Sequence, residues 1–369
     1  MQTFFKDLIV VELASVLAGP AVGMFFAELG AEVIKIENKT TGGDVTRGWK
    51  LPSETPPLAS RGGEMIPSAS AYFHSVNYHK THYFFDLQDV TDKEKTLEIL
   101  RGCDIVISNF RKSSAVKMGM DYDSIIAINP NVIYAQLYGF DEEDETPAFD
   151  VVLQAEAGFM YMTGERGRGA VKMPVALIDI LAAHQLKEGI LMALLARERT
   201  GKGAFVSTTL YEAAVASLAN QATNWLMAGH IPQRIGAEHP NIAPYGDVFM
   251  TKDNKEIVLA CGTERQWQML CKILDTSNLV NDKRFLTNAL RVKNRAKLVK
   301  ILRGCILKQE RDTLLYMLQK AFVPAGAIRN MQEVFENPMA QKMVLEEVTT
   351  EGYVTKRVKT VTIDIKFKK

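Results

Sequence analysis

The stretch that decides the fold is "LIVVELASVLAGPAVGMFFAELGAEVIKIE", residues 8–37. "LIVVELA" is a β-rich run and "SVLAGP" a breaker. "AVGMFFAELG" has helical spacing, with Met24, Ala27 and Leu29 near one face and Gly30 as a stop, and "AEVIKIE" is a second β-run. A crossover this long predicts two parallel strands with the helix packed on their sheet. Further along, "HYFFDL", "CDIVISNF" and "NVIYAQLYGF" predict three more strands, and "KEKTLEILRG" a helix between the first two. Such alternation argues for an open, mainly parallel Rossmann-like α/β sheet, with ligands at the carboxyl ends of its strands.

Two segments read as loops. Thr40 to Pro67 is rich in Gly, Pro, Ser and Thr, and "DEEDETP" (Asp141 to Pro147) is an acidic run of the kind that is usually solvated. After Asp179, "LAAHQLKEGILMALLARERTGKG" predicts a helix with Arg197 and Arg199 near its end and a stop at Gly201. "FVSTTL" predicts a strand and "YEAAVASLANQATNWLMAG" one further helix. From about Ile231 the texture changes. "HPNIAPYGDVFMTKDNKEIVLACG" reads as a hairpin turning at Asp253-Asn254, followed by helices near Gln266–Leu274 and Leu298–Gln319. The expected organisation is a large domain over residues 1–220, completed by 335–369, and a smaller α+β domain with linkers over 221–334.

Of the 369 residues 47% are hydrophobic, enough for a sizeable core, and on length two domains are more natural than one. The 44 Lys+Arg nearly cancel the 43 Asp+Glu, which argues against nucleic acid or anionic membrane as a partner. Cys103, Cys261, Cys271 and Cys305 form no CxxC, so buried thiols in a reducing compartment are expected. The first residues lack the basic and apolar regions of a signal peptide, and no apolar run is long enough to span a bilayer. A cytoplasmic location is the resulting expectation.

The first βα turn invites a dinucleotide reading through Gly19, Gly23 and Glu37, but Leu17 occupies the first glycine position of G-x-G-x-x-G. Gly19-Pro20 more simply turns a strand into a helix, and the helix N-terminus remains a fair anion site. His74, His79 and His82 lack an acidic partner at metal-ligand spacing, so no metal is expected. There is no G-x-S-x-G, which argues against a serine hydrolase. Asp179 is left, the one charge in "VALIDILAAH". It reads as an N-cap of the helix that follows it. Capping is compatible with catalysis, because a helix N-terminus would keep the carboxylate ionised and an ionised carboxylate is a nucleophile without help from a base.

These pieces resemble the class III CoA-transferases, the CaiB/BaiF family. The matching stretches include "VLAGPAVGMFFAELGAEVIKIE", "GGDVTRGW", "CDIVISNFRKSSAVKMGMDYDSIIAINPNVIYAQLYGF", "FDVVLQAEAG", "PVALIDILAA" and "LLARERTGKGAFVSTTLYEAA", in the family's order over roughly Leu8 to Met250. The resemblance implies that Asp179 is the nucleophile, forming a mixed anhydride with the donor acyl group and then a β-aspartyl-CoA thioester. Coenzyme A or acyl-CoA enters as substrate, with no tightly bound cofactor. It further implies CoA contacts at Leu17 and Ala18 beside the thioester, at Asn109, Phe110 and Arg111, at Lys117 as a phosphate contact, and at Phe85 to Leu87 on the adenine side. Asn38 stands where the family has a phosphate-binding Arg, with Lys39 as a substitute point charge. Leu17 stands where several members have Gln, and the glycine-rich acceptor loop of oxalate-type members is absent.

The α-methylacyl-CoA racemases resemble the same motifs but move an α-proton with a His–Asp pair. Here the corresponding pair is Phe149-Asp150, and a phenyl ring transfers no proton, so racemisation is disfavoured. A catalytically silent CoA-binding protein is the remaining alternative. The resemblance also implies a homodimer of interlocked, ring-like subunits. The chain stops at "TIDIKFKK", short of a "PLLGEHT"-like segment common in the family, from which a shorter linker or weaker domain docking is expected.

Overall fold

The computed structural model describes residues 3–54, 69–349 and 352–366. Two compact units divide the chain. One comprises Met1–Met160, Lys172–Pro232 and Lys342–Lys369; the other Tyr161–Val171 and Gln233–Gln341.

The first unit is built on six strands, β1 (Ile9–Leu13), β2 (Glu32–Asn38), β3 (Lys80–Phe85), β4 (Ile105–Ser108), β5 (Ile133–Tyr138) and β6 (Ala204–Thr209), in the order β3-β2-β1-β4-β5-β6. Every neighbouring pair is parallel. The strand order reverses between β1 and β4, and a sheet of this kind opens a crevice where the loops leaving two such strands diverge. Leu13 pairs with Ser108, so Ser15–Leu17 and Asn109–Arg111 leave the sheet side by side.

One face of the sheet is covered by the helices Ala18–Glu28 and Leu177–Thr200, with Met24, Phe26, Ile178, Leu186 and Ile190 in a common core. The other face buries Leu100, Met120, Ile125 and Tyr134. The helix after β1 differs from its expected one-sided character: every residue from Ala18 to Glu28 is buried. It lies so close to β1 that a Cβ on Gly23 would stand 2.1 Å from the Glu12 Oε2 atom, and one on Gly19 2.5 Å from the Ala14 Cβ. Only glycine admits that approach.

Local departures from the sequence reading have local causes. The single helix expected over Tyr211–Gly229 is two, Leu210–Ala216 and Ala219–Ala228, interrupted at Ser217-Leu218, with Ala219 at φ 48°. Leu298–Gln319 likewise divides into Arg295–Ile306 and Arg311–Lys320. The Thr40–Pro67 loop contains short 3-10 turns at Val45–Gly48 and Pro52–Glu54, and residues 55–68 lie outside the described part. After the other unit the chain returns as a hairpin, β10 (Val344–Val348) with β11 (Val354–Val358). Thr360 N and Val361 N then donate to the Glu28 carboxylate at 2.7 and 2.9 Å.

The second unit carries an antiparallel sheet of β7 (Tyr245–Met250), β8 (Glu256–Ala260) and β9 (Ala325–Ala327). The expected hairpin is there, with Asn254 of its turn at φ 55°. The helix Glu264–Ile273 starts from a Thr263/Gln266 capping box and buries Trp267 and Leu270 in this unit's own core. Among the described residues no helix is long and apolar enough to cross a membrane.

Candidate active site

The turn after β1 is strained and braced. Val16, a β-branched residue, sits at φ 73°. Its N–H donates to both oxygens of Asp44, at 3.3 and 3.1 Å. One residue earlier, Ser15 N donates to Asn109 Oδ1 (3.2 Å), and Asn109 Nδ2 donates back to Ser15 O (2.9 Å). Asn109 is thus a strut between the ends of β1 and β4. Leu17 and Ala18 follow at the start of a helix whose third residue, Pro20, has no N–H, so Ala18 and Gly19 supply the amides that its first turn leaves without intrahelical acceptors.

A buried ionic network beneath the turn escaped the sequence reading, although Glu12, Lys35 and Lys80 stood in plain view as charges within β-rich runs. Lys35 Nζ donates to Glu12 Oε1 (2.7 Å) and Ala14 O (2.6 Å) and lies 3.2 Å from Asp44. Lys80 Nζ donates to Glu12 Oε2 (2.7 Å). Burial alone would push the Glu12 carboxyl up, but the two ammonium groups outweigh it and hold Glu12 below its ordinary value. Burial, with Lys35 adding to it, brings Lys80 down to about 8. Glu37, the residue a dinucleotide would need, accepts from Arg47 (2.7 and 2.6 Å) and Asp44 N (2.8 Å) and stands 2.7 Å from His82 Nδ1. Its carboxylate is spoken for within the protein.

Asp179 does not cap its helix. The helix begins at Leu177 with Ala176 as its N-cap residue, so Asp179 is the third residue of the first turn. The capping acceptor comes from elsewhere: Ile178 N donates to Asp150 Oδ1 at 2.8 Å. Gln154 Nε2 donates to the other Asp150 oxygen at 2.6 Å, and Gln154 Oε1 accepts from Met173 N at 2.8 Å. The Asp179 side chain is buried (7% exposed) and has no hydrogen-bond donor among the described residues. The expectation that the helix end keeps it ionised is corrected accordingly. Burial, and secondarily the Asp150 charge, push it up to about 7. A helix terminus contributes about 0.3–1 kcal/mol in the opposite sense, too little to offset the loss of water.

Asp179 lines a cavity of about 480 Å³ together with Leu17, Ala18, Asn109, Phe110 and Arg111. Phe149 forms part of the same wall. A second cavity, about 590 Å³, is lined by Asn38, Phe85 and Leu87 and shares Ser15, Phe110 and Ser114 with the first. Eight of the ten sequence-predicted binding residues therefore line two adjoining cavities over the switch point. Lys39 and Lys117 line neither. Lys39 is largely exposed, 3.7 Å from Asp92, and Lys117 is exposed on the helix Lys112–Met118. The acidic run is less free than expected: Glu142 (2.9 Å) and Glu143 pair with Lys112, and Glu145 accepts from Ser113 N (3.1 Å). Tyr72, which lines neither cavity, is a half-buried neighbour of the two carboxylates that sequence reasoning passed over. Burial raises its hydroxyl to about 12, with the charges of Asp179 and Asp150 adding to the effect, and Trp49 meets its ring edge-on at 5.1 Å. No periodicity or motif marked it.

Residues 5–369 match the sequence profile of CoA-transferase family III. The chain belongs to that family. The succinate–glutarate CoA-transferase of Agrobacterium fabrum is 36% identical over 335 residues, covering 90% of this chain and 82% of that protein. The human succinyl-CoA:glutarate CoA-transferase is 32% identical, covering 89% and 72%. Among solved structures, a CaiB/BaiF family protein from Brucella suis superposes with a TM-score of 0.86 at 36% identity, over 99% of this chain and 93% of that one. As a family III CoA-transferase, this enzyme takes CoA thioesters as substrates, and its cavity is lined by the buried carboxylate of Asp179, with Glu142, Asp144 and Glu145 of the acidic run also on its wall. Leu17 offers that cavity no polar side-chain atom, which leaves the backbone amides of the adjoining helix as the donors on that side. Among the described residues no cluster of His, Cys, Asp or Glu has the arrangement of a metal site.

Proposed function

We propose that this enzyme moves CoA from an acyl-CoA to a free carboxylic acid with Asp179 as the nucleophile. The observation that carries the reading is a buried carboxylate with no hydrogen-bond donor among the described residues, lining a cavity shared with the amino end of the helix Ala18–Glu28. An ionised Asp179 attacks the thioester carbonyl; the C–S bond breaks, giving a mixed anhydride and CoA thiolate. The thiolate attacks the aspartyl carbonyl, releasing the donor acid and leaving a β-aspartyl-CoA thioester. The acceptor carboxylate attacks that thioester in turn, and the returning thiolate takes the new acyl group and frees Asp179. Each addition places negative charge on a carbonyl oxygen, and the Ala18 and Gly19 amides are the preorganised donors for it. Asn109 acts indirectly, by holding the turn that aims them.

CoA runs from Asp179 past Phe110 into the second cavity, with its adenine toward Phe85 and Leu87 and its phosphates toward Arg111, Lys117 and the Asn38–Lys39 corner. The acids we propose are short dicarboxylates of the succinate and glutarate class, on which the relatives above act. The enzyme works as a homodimer. The helix Ala219–Ala228 buries none of its residues and exposes Trp225, Leu226 and Met227, a face that a second copy would cover. All four cysteines are free thiols, suited to a reducing compartment such as the cytoplasm.

The test is covalent trapping. With a donor acyl-CoA and no acceptor, hydroxylamine should add mass to the peptide carrying Asp179 and to no other. Asp179→Ala should abolish exchange while CoA still binds. Continued transfer by Asp179→Asn, with deamidation excluded by mass, would overturn the assignment. A panel of acyl-CoA donors against mono- and dicarboxylic acids fixes the substrates.

A further inference from the structure

We propose that Asp150 is a positioning residue for this reaction: its carboxylate takes over the capping of the Asp179 helix and sets a second negative charge against the nucleophile. The inference rests on Asp179 being the nucleophile and concerns how the fold prepares it.

Three observations support it. First, the helix Leu177–Thr200 starts without a side-chain cap of its own, since Ala176 has no polar atom to offer. An acceptor 28 residues earlier in the chain, Asp150 Oδ1, meets the Ile178 N–H one residue before Asp179. A local Ser, Thr or Asn would cap as well and would bring no charge. Second, Asp150 is itself fixed. Gln154, 1% exposed and one helical turn on, donates to Asp150 Oδ2 at 2.6 Å and holds the Met173 backbone through N–H (2.8 Å) and C=O (3.4 Å). The approach to Asp179 is thereby clamped at Met173 and at Ile178. Third, the Asp150 carboxylate, bonded to the amide next to Asp179 in the chain, adds its charge to the effect of burial and in the same direction.

The charged groups that line the same cavity as Asp179 are Arg111, Lys112, Glu142, Asp144 and Glu145; Lys112 pairs with Glu142 and Glu143, and Glu145 accepts from Ser113 N. Tyr72 is raised mainly by its own burial and then by the charges of Asp179, Asp150 and Asp44. On the helix Ala18–Glu28, Glu28 acts on Lys187, two turns beyond Asp179, and His184 also lies farther along the helix. From the strands beneath, burial raises both Tyr138 and Tyr134, with lesser effects from Glu142, Lys112 and Glu143 on the first and from Ser108 and Asp121 on the second. The flanking helix Leu210–Ala216 is capped by Thr209, whose Oγ1 accepts from Glu212 N at 2.8 Å, and Tyr211 and Glu212 do not figure among the charges acting on Asp179.

The chemical consequence follows from basicity. A carboxylate that holds its proton more tightly has a more available electron pair once ionised, so it attacks a thioester carbonyl faster. The added charge thus strengthens the nucleophile and narrows the pH range in which it is ionised. No further reactant is involved.

The experiment compares Asp150→Asn with Gln154→Ala in the full chain. Asn can still accept the Ile178 N–H, so Asp150→Asn should keep the wild-type melting temperature within a few degrees. Its kcat/KM-against-pH profile should move to lower pH by roughly one unit, and its plateau should fall severalfold. Gln154→Ala loosens the clamp and leaves the charge, so its plateau should fall without a shift of the midpoint. An Asp150→Asn profile that superimposes on the wild type, or a Gln154→Ala profile that shifts equally, overturns the proposal. Hydroxylamine trapping separates the two levels. If the wild type is not labelled at Asp179, the nucleophile assignment fails and this inference with it. If it is labelled and the profile is unmoved, Asp150 alone has been misread.

Discussion

Replacing Asp179 by Asn should stabilise the protein while destroying its activity, and the gain should depend on pH in a defined way. In the fold the Asp179 carboxyl titrates at about 7, against 3.8 for the ordinary side chain. The folded value lies above the unfolded one, so the stability available below about pH 4 is lost as the pH rises through 7. A separation of about three units corresponds to about 4 kcal/mol at pH 8. Little water reaches the group to screen this cost, since it is 7% exposed. Asn carries no proton and escapes the penalty. The Asp179→Asn variant should match the wild type near pH 4, lead by about 1.5–2 kcal/mol at pH 5, and lead by about 4 kcal/mol at pH 8. The assay is urea denaturation across that pH range, read on the transition of the unit that contains Asp179. A constant difference between the two proteins, or a variant less stable than wild type at pH 8, would refute the burial argument. Activity should follow the same ionisation: wild-type kcat/KM should rise with pH to a plateau above about 7, because only the ionised carboxylate attacks.

Arg111→Ala and Lys117→Ala should each weaken CoA binding by about 1–3 kcal/mol, with a smaller effect on a truncated pantetheine donor; equal losses with both donors would remove these residues from the phosphate site. Gly23→Ala should cost about 3–5 kcal/mol, because the added Cβ lands 2.1 Å from Glu12 Oε2 and breaks a buried ion pair, whereas Gly102→Ala, with its nearest atom at 3.9 Å, should be nearly neutral in urea denaturation. The enzyme should sediment as a dimer that survives dilution, and a concentration-dependent monomer in the micromolar range would contradict interlocked subunits.

What the sequence determined by itself was periodicity and order. Residues 8–37 give a β-rich run, a stretch with helical spacing and a second β-rich run, and this order, with further β-rich runs at β3, β4 and β5, is enough to specify a parallel sheet and the end of it that gathers ligands. The lone charge in "VALIDILAAH" stood out for the same reason, since an apolar face has no use for it. The tertiary structure decided what that charge experiences. Whether Asp179 caps a helix, and at what pH it ionises, depends on its burial and on Asp150, which Gln154 holds in place; these two residues stand 29 and 25 positions before it and share no local pattern with it. The same holds for Glu12, Lys35 and Lys80, whose strand positions look like interruptions until the sheet, with Asp44 from the loop after β2, brings them into one buried network. Local sequence sets backbone conformation through short-range sterics and periodic burial. Electrostatic environment is set by whatever the fold brings within a few ångströms and by the water it excludes, and neither quantity is written along the chain.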